Sequence, residues 1–433
     1  MKSGAYSRRL DIFVTNRCNL DCAYCSSRGM LQEPRPLALS AERLKRAVDL
    51  FAGWRAPGGE PRTLAFSGGE PLLEYEAVAA ALRHIGGLRE KFQVSVTTNG
   101  TLLDQRRAEF LLGRGVSLVV SLDGAPAVTD SRRRFRSRRA SVAAAVAANL
   151  KRLPARLRRE IRVAVTVSSS NIGSAAEGAA YLESLGLGCV EIGLDVYEAW
   201  SPRALEQLSR TLAAFRDYSL RRADLKALRG GGGTVFKAFF QDYDPEGKVL
   251  PVDTLCLSPE GLFFPCDALC AARPRQDAYV LGDLERGVDF AKFKRIYDKA
   301  FAFIRRHGSA ASVLSPADRY FYALIRGQDP AALLANGLLV DEIFERELGE
   351  LRELENALLA AARRGPGRLP ALGTMRAAAG APPAALEPLA AAPGPRLALL
   401  EAGAGPRSAR LAALYLLLAA RRDRRKTVLR LEN

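Results

Sequence analysis

The first half of the chain alternates short apolar runs with longer segments of helical period, and this alternation constrains the fold more than any other feature. The apolar runs are LDIFV (10–14), TLAF (63–66), QVSVT (93–97), VSLVVS (116–121), IRVAVTV (161–167) and CVEIGL (189–194). The helical segments lie near residues 41–54, 74–86, 105–114, 138–152, 174–186 and 203–222. Such repeated strand–helix units predict an α/β fold with a parallel sheet that is covered on both faces.

Six strand–helix units are too few for a closed eight-stranded barrel, and they fit an open, partial (β/α)6 barrel. In barrels the functional side chains lie on the loops that follow the strands. We therefore expect the site residues directly after the apolar runs, in a first domain that covers residues 1–228.

A short hairpin pattern marks a second, smaller domain. The glycine run RGGGG (229–233) reads as a linker. After it, the segment TLCLSPEGLFFPC (254–266) predicts a β-hairpin, because the turn residues Pro259–Gly261 separate two apolar arms. We assign residues 234–308 to this domain.

The remainder of the chain is predicted to be mostly helical and then partly disordered. Helical patterns near 289–307 and 315–363 predict a helical extension over 309–363. Residues 364–433 begin with a Pro/Ala-rich stretch that holds eight prolines before Ser408. We interpret this stretch as a loose tether that leads to a terminal helix at Ser408–Arg422.

The composition is that of an ordinary soluble protein. The chain of 433 residues has 64 Lys and Arg against 47 Asp and Glu, a formal net charge of +17, but these charges are spread along the chain and indicate a solvated surface more than a nucleic-acid site. The longest late apolar run, Leu411–Ala420, is too short to span a bilayer, and the N-terminus has no signal-peptide pattern. We therefore expect a cytoplasmic protein with no membrane association.

The cysteines predict a metal site. Six of the seven form two tight groups, and in a chain without a secretory signal such grouping points to metal binding, not to disulfides. The first group, Cys18, Cys22 and Cys25, has the spacing C-x3-C-x2-C after the first predicted strand. Three thiolates on one loop can bind three irons of a [4Fe–4S] cluster and leave the fourth iron open. An incomplete zinc site or three buried free cysteines are the alternatives.

With this spacing, the chain resembles the radical S-adenosylmethionine (SAM) superfamily over roughly residues 8–225. Further family motifs end the next three predicted strands: Ser67-Gly68-Gly69-Glu70-Pro71, Thr97-Thr98-Asn99-Gly100 and Ser121-Leu122-Asp123-Gly124. The resemblance implies SAM contacts from the residues at the family's positions. These are Tyr24, Gly68, Gly69, Glu70, Thr98, Asn99, Ser121, Asp123, Ser169 and Asn171.

The resemblance also implies roles for these residues. The Gly68-Gly69-Glu70 element would receive the methionyl ammonium of SAM, and Tyr24 would lie against the adenine. Ser121 and Asp123 would face the ribose or the methionyl carboxylate, although ordinary turn chemistry is the alternative for such strand ends. In the family, one electron from the cluster cleaves SAM to methionine and a 5′-deoxyadenosyl radical, which abstracts hydrogen from the substrate.

The second group, Cys256, Cys266 and Cys270, lies on both sides of the predicted hairpin. It resembles the auxiliary-cluster region, called SPASM or twitch, that follows the barrel in many radical SAM enzymes, and Val280–Leu284 resembles the stretch after those cysteines. Three cysteines are too few for the two clusters of a full SPASM domain, so the resemblance implies the twitch form with one auxiliary [4Fe–4S] cluster. An auxiliary zinc site is the alternative.

Asp267 follows Cys266 directly, where the related sulfatase-maturing enzymes carry an acidic residue proposed to take a proton. It is therefore a candidate catalytic base, and a hydrogen-bonding role that orients the cluster loop is the alternative. The fourth ligand of the auxiliary cluster stays open between Cys189, Asp267, another residue or none.

The resemblance as a whole implies an enzyme that modifies a peptide or protein side chain and receives electrons from a donor such as flavodoxin or ferredoxin. One alternative is small-molecule cofactor biosynthesis, as in the cyclase of the molybdenum-cofactor pathway, although that enzyme ends in a Gly-Gly tail and this sequence ends in Leu431-Glu432-Asn433. Another is an iron–sulfur protein that modifies or binds RNA or DNA, suggested by the basic residues between Arg421 and Lys426.

Overall fold

The computed structural model describes residues 7–54, 62–187, 189–222, 235–238, 254–272, 276–308, 315–364, 373–377, 396–400 and 427–431. The chain divides into two compact units, of which the first comprises Met1–Leu208 and Phe236–Glu342 and the second Ser209–Val235 and Ile343–Asn433. The linker predicted at 229–233 lies outside the described residues. No helix within the described ranges combines the length and apolarity needed to cross a bilayer.

One mixed sheet organises the first unit. Its strands are β1 (Arg9–Phe13), β2 (Arg62–Ser67), β3 (Phe92–Thr98), β4 (Ser117–Ser121), β5 (Arg162–Val167), β6 (Cys189–Leu194), β7 (Val235–Ala238), β8 (Thr254–Leu257), β9 (Leu262–Phe264), β10 (Gly282–Asp283) and β11 (Gly287–Val288). Their spatial order is β11-β10-β9-β8-β1-β2-β3-β4-β5-β6-β7. Strands β1 to β6 pair in parallel and in chain order, which confirms the predicted α/β fold with six parallel strands.

Helices connect the parallel strands. They are α1 (Arg28–Leu31), α2 (Ala41–Gly53), α3 (Tyr75–Gly86), α4 (Gln105–Leu112), α5 (Pro126–Arg132), α6 (Val142–Arg152), α7 (Ala155–Glu160), α8 (Ala175–Ser184) and α9 (Pro202–Arg222). Helix α2 illustrates how they form: the Ser40 side chain accepts a hydrogen bond from the Arg43 N–H, and one face buries Leu44 and Phe51. The short helices α1, α5 and α7 were not predicted, because fewer than two helical turns give no clear period.

The predicted hairpin is present, and it extends the main sheet. Strands β8 and β9 are antiparallel, and Gly261 in the turn has the positive φ of 88° that favours glycine. Strand β8 also pairs in parallel with β1, from Arg9 opposite Thr254 to Ile12 opposite Leu257. The region assigned to a second domain therefore continues the sheet of the parallel core.

Helices dominate the chain after the hairpin. They are α10 (Asp267–Ala271), α11 (Phe290–His307), α12 (Pro316–Arg326) and α13 (Pro330–Arg364). The continuous helical pattern predicted over 315–363 is wrong at one point, because Gly327 adopts a left-handed conformation with φ 64° and ends α12.

The prediction of a loose tether over 364–407, before a terminal helix, is also corrected in part. Three short strands, β12 (Gly373–Ala377), β13 (Arg396–Leu400) and β14 (Thr427–Leu431), pair in parallel. The last two are rich in Leu and Val, which favour strands even between proline-rich stretches. The helix predicted at 408–422 lies outside the described residues.

Candidate active site

The loops after strands β1 to β6 meet at one edge of the sheet and enclose a cavity of about 310 Å³. All three cysteines of the first group line it, as do Gly68 and Gly69 after β2. The opposite wall carries residues 194–197 after β6. A volume of this size is typical of a small-molecule site, and its place at the carboxyl ends of parallel strands is where barrels bind their ligands.

The cysteine loop, residues 18–25, is held by hydrogen bonds from neighbouring loops. The Asn99 side chain donates to Asn19 Oδ1 at 2.8 Å, and its amide nitrogen lies 3.9 Å from Cys18 Sγ. Burial raises the pKa of Cys18 to about 12 and that of Cys22 to about 11. Thiols so placed stay protonated at neutral pH unless a bound cation stabilises the thiolates.

Gly68 and Gly69 place the backbone after β2 directly against the start of the cysteine loop. Gly68 has φ 122°, and the Gly69 N–H donates to the Thr15 carbonyl at 2.8 Å. A Cβ atom on Gly69 would lie only 2.0 Å from the carbonyl oxygen of Arg17. Only glycine fits this close approach of two chain segments.

The Glu70 carboxylate ties two loops together. It is fully buried and accepts hydrogen bonds from the Leu72 N–H, the Thr98 hydroxyl and the Asn99 N–H at 2.9, 2.7 and 2.7 Å. Burial raises its pKa, while these three donors act in the opposite direction. Glu70 thus binds donors of its own chain, and the role toward SAM predicted for it stays a prediction.

Asp123 is the centre of a buried polar group after β4. Its carboxylate accepts hydrogen bonds from Tyr24 Oη at 2.6 Å and from Arg133 Nε and Nη2 at 2.9 and 3.1 Å. Arg132 lies beside it, with its guanidinium 4.3 Å from the centre of the Tyr24 ring and its Nη1 bonded to Ser168 and Ser170. Two buried guanidinium groups thus share one carboxylate.

Among the described residues, one buried nitrogen of these two guanidinium groups makes no hydrogen bond. Within the described residues, Nε of Arg132 is buried and has no hydrogen-bond partner. Arg133 itself lines the cavity. A buried guanidinium at the cavity wall can bind an anionic group of a ligand, and the Asp195 carboxylate on the opposite wall is the other charge that acts on Arg132.

The other predicted SAM contacts divide into two sets. Thr98, Asn99 and Ser121 line the cavity together with Tyr24. Ser169 instead donates its N–H and hydroxyl to the Glu198 carboxylate, and Asn171 accepts from the Ser168 N–H at 2.8 Å and so closes its own loop.

The second cysteine group is buried in the extension of the sheet. Cys256 lies on β8 opposite Asp11 of β1, and Cys266 directly precedes α10. The Cys270 N–H donates to the Cys266 carbonyl at 3.1 Å, so these two thiols lie one helical turn apart. Burial raises the pKa of Cys256 and of Cys266 well above the ordinary value.

Besides Asp11, two further carboxylates adjoin this group, and only Asp267 was predicted. Ligand atoms of Cys266, Asp267 and Asp318 lie within 4.8 Å of one another. Burial, followed by the charge of Asp267, raises the pKa of Asp318 to about 8. Tyr197 Oη donates to Asp267 Oδ1 at 3.1 Å, and because Tyr197 lines the cavity, this hydrogen bond connects the two cysteine groups.

Cys189 occupies the other end of the sheet. It is the first residue of β6, paired with Arg162 of β5, whereas Tyr197 follows the last residue of that strand. Six residues of strand span about 20 Å. Cys189 therefore lies at the edge of the sheet opposite the loop whose Tyr197 contacts Asp267 of the second group.

The loop after β6 is fixed from the C-terminal side of the first unit. Arg319 of α12 is 1% exposed and donates to the carbonyls of Val196 and Glu198 at 2.8 and 3.3 Å, and to that of Leu333. Asn336 of α13 bonds both the N–H and the carbonyl of Trp200 at 2.8 Å. Residues of α12 and α13 thus position one wall of the cavity.

Several of these residues were missed by the sequence analysis. Arg132 and Arg133 belong to the run SRRRFRSRR (131–139), whose density of arginine is a visible signal. Tyr197, Asp318 and Arg319 carry no such signal, since none of them belongs to a repeated motif or to a dense run of one residue type.

Comparison with protein families identifies the core of the chain. Residues 12–167 match the family model described as Radical SAM superfamily. GTP 3′,8-cyclase 2 of Pseudomonas aeruginosa is 36% identical over 114 residues, which are 26% of this chain and 33% of that enzyme. The probable GTP 3′,8-cyclase of Methanocella arvoryzae is 40% identical over 123 residues, 28% of this chain and 36% of that enzyme. The chain thus spans only about a third of the length of these relatives.

Solved structures share the fold at low sequence identity. The structure of anSMEcpe with bound AdoMet has a TM-score of 0.55 and 16% identity, and the match covers 82% of this chain and 100% of that one. SuiB of Streptococcus suis bound to S-adenosylmethionine has a TM-score of 0.51 and 15% identity, and 76% of each chain is covered. Most residues that line the cavity, including the three cysteines, belong to the matched segment 12–167, whereas residues 194–197 lie outside it. Residues 12–167 of the chain are therefore similar to the radical SAM superfamily.

Proposed function

We propose that Cys18, Cys22 and Cys25 hold a [4Fe–4S] cluster and that SAM binds beside it in the cavity. The observation that carries this proposal is that three thiols face one cavity together with a glycine backbone that no larger residue could replace. Reductive cleavage of SAM to methionine and a 5′-deoxyadenosyl radical is the chemistry that such a cluster supplies.

The spacing of the thiols fits a cluster better than a single ion. Ligands of a tetrahedral zinc ion lie about 3.8 Å apart, given a Zn–S distance of about 2.3 Å. Among the described residues, the ligand atoms of Cys18, Cys22 and Cys25 do not all lie within 4.8 Å of one another. In a four-iron cluster each thiolate binds a different iron, so the thiolates are held farther apart.

The residues around the cavity would bind and orient SAM. The backbone at Gly68 and Gly69 offers polar groups at short range, as the methionyl ammonium requires. The two guanidinium groups at Asp123 exceed its single charge, and Arg133 faces the cavity, so we assign the methionyl carboxylate to this side. Ser121 and Tyr24 remain our candidates for the ribose and the adenine.

We further propose that Cys256, Cys266 and Cys270 hold an auxiliary [4Fe–4S] cluster. Their joint burial and the two adjacent carboxylates support a bound cation there, because buried acidic groups without a cation are costly. Asp267 would act as a base toward the substrate, and its hydrogen bond to Tyr197 directs it toward the cavity.

The substrate that we propose is a peptide or protein side chain. Structures of anSMEcpe with bound AdoMet and the peptide Kp18Cys share the fold of this chain, with a TM-score of 0.54 over 82% of it. The second candidate is a small molecule handled in cofactor biosynthesis, because the curated relatives named above are GTP 3′,8-cyclases. Those matches cover only 26% and 28% of this chain.

Anaerobic reconstitution tests the cluster assignments. Intact protein should bind about eight irons, and the triple variant Cys18→Ala/Cys22→Ala/Cys25→Ala about four, with no 5′-deoxyadenosine formed under dithionite. Cys189→Ala is the matched control, and it should keep both the iron content and SAM cleavage. Cleavage that persists in the triple variant would refute the first assignment, and zinc in place of the remaining iron would refute the second.

A substrate test separates the two candidate functions. GTP added to the reconstituted enzyme should leave the rate of 5′-deoxyadenosine formation unchanged, whereas peptides encoded beside the gene should raise it. A GTP-dependent increase with conversion of the nucleotide would instead establish the small-molecule function.

A further inference from the structure

Six of the eight residues from 132 to 139, the arginine segment, are arginine. The segment links α5 to α6, and its arginines divide by exposure. Arg132 and Arg133 are buried at the cavity wall, whereas four others are exposed at the surface. These four are Arg134, Arg136, Arg138 and Arg139.

The arginine segment pairs directly with the cysteine loop through backbone hydrogen bonds. The Asp21 and Ala23 N–H groups donate to the carbonyls of Arg134 and Arg132, both at 2.7 Å, and the Arg136 N–H donates to the Asn19 carbonyl at 3.0 Å. A β-bridge pairs Leu20 with Phe135 in antiparallel orientation. The exposed arginines therefore belong to a segment that pairs directly with the loop that carries the cysteine thiols.

The charges of this surface are poorly balanced. Asp21 lies 3.7 Å from Arg28 and 4.0 Å from Arg136, and it is the acidic partner in both ion pairs. Arg138 packs over the Phe135 ring at 4.1 Å, which orients it without neutralising it. A concentrated positive surface attracts acidic partners over about one Debye length and accelerates their association.

The substrate can reach the cavity from the wall formed by β5 and β6, which the arginine segment does not occupy. Thr166 and residues 194–197 line the wall formed by β5 and β6, and Tyr197 leads from there to the carboxylates of the second cysteine group. The arginine segment instead lies over the loop that carries the first cysteine group. A partner that must come close to the cluster, without entering the cavity, matches this position.

We propose that Arg134, Arg136, Arg138 and Arg139, with Arg28, form the docking surface for an acidic one-electron donor protein of the flavodoxin type. The inference rests on the proposed cluster at the first cysteine group. On docking, the donor is oxidised by one electron and the cluster is reduced by one, and no covalent bond forms or breaks. Positive surface charge holds the donor where the path to the thiols is shortest.

The test compares two variants of the full, reconstituted chain with equal changes of charge. The first is Arg134→Glu/Arg138→Glu/Arg139→Glu, which spares Arg136 because its side chain bonds the Leu20 carbonyl. The control is Arg89→Glu/Arg114→Glu/Arg159→Glu, at exposed positions before β3, β4 and β5, at the opposite edge of the sheet. Arg114 lies over the Phe110 ring as Arg138 lies over Phe135, so the variants also match in ring contacts.

Binding of a purified flavodoxin is measured by titration at low and at physiological salt, together with 5′-deoxyadenosine formation driven by flavodoxin or by dithionite. We expect the first variant to lose affinity for flavodoxin about tenfold or more, with a smaller loss at higher salt, and the control to change less than twofold. Dithionite-driven formation should stay within twofold of the unmodified chain in both, which shows that the cluster site is intact.

Equal affinities of the two variants for flavodoxin would overturn the inference. So would a first variant that loses binding to RNA at physiological salt while its affinity for flavodoxin is unchanged, because the surface would then serve a nucleic acid. Failure of the proposed function has a different signature. In that case the unmodified chain forms no 5′-deoxyadenosine with dithionite, and the flavodoxin titration still decides whether the surface binds the donor.

Discussion

Replacement of Arg319 by Met should destabilise the first unit through the loop after β6. Arg319 donates to the carbonyls of Val196 and Glu198, and burial lowers its pKa to about 10. Methionine fills a similar volume but donates nothing, so both loop carbonyls lose their charged donor. An orphaned buried carbonyl costs about 1–3 kcal/mol, and release of a buried charge offsets part of that cost. We therefore expect a loss of about 3 kcal/mol.

Thermal unfolding measures this loss. The first unit is large, so about 2 °C per kcal/mol applies and the melting temperature should fall by about 6 °C. SAM affinity should fall as well, because the same loop carries Tyr197 at the cavity wall. Arg326→Met is the matched control on the same helix, since Arg326 is exposed and contacts only the face of the Tyr322 ring among the interactions described.

The comparison between the two variants is decisive. If Arg319→Met melts within 1 °C of Arg326→Met, the hydrogen bonds from α12 do not hold the loop. If stability falls but SAM affinity is unchanged, Arg319 supports the fold without positioning the cavity wall.

Two further predictions concern the cavity itself. Gly69→Ala should reduce SAM cleavage at least tenfold at unchanged iron content, because the new Cβ would lie 2.0 Å from the Arg17 carbonyl oxygen. Gly53→Ala is the control, because its Cβ would meet open space and the variant should be as active as the unmodified chain. Equal activities of the two variants would contradict the steric reasoning. Asp123→Asn should lower the free energy of unfolding by about 3 kcal/mol or more, because it leaves the Arg133 guanidinium buried without its carboxylate. A melting temperature equal to that of the unmodified chain would show that this charge is compensated elsewhere.

The parallel core was predictable because its strands are buried on both faces. The consecutive residues Leu118, Val119 and Val120 of β4 are all buried although they face alternate sides of the sheet, so the strand appears in the sequence as a continuous apolar run. The positions of the first cysteine group and of the glycines after β2 followed from the same pattern, since the carboxyl ends of parallel strands share one edge.

Long-range pairings could not be predicted in the same way. Strand β8 pairs with β1 across more than 240 residues of sequence, and nothing in the segment TLCL specifies which edge it joins. Arg319 and Tyr197 likewise depend on tertiary contacts that carry no local period. The charge of the arginine segment was visible, but its meaning depends on its pairing with the cysteine loop.

The pairing of β8 with β1 has a consequence for any attempt to isolate the segment that matches the radical SAM superfamily. A fragment that ends before residue 254 would expose β1 as an open edge strand, with a free row of backbone N–H and carbonyl groups beside the fully buried Leu10 and Ile12. Such an edge is prone to pair with other chains and aggregate. The boundary of the family match at residue 167 is therefore a boundary of shared sequence and not of an independently folding body.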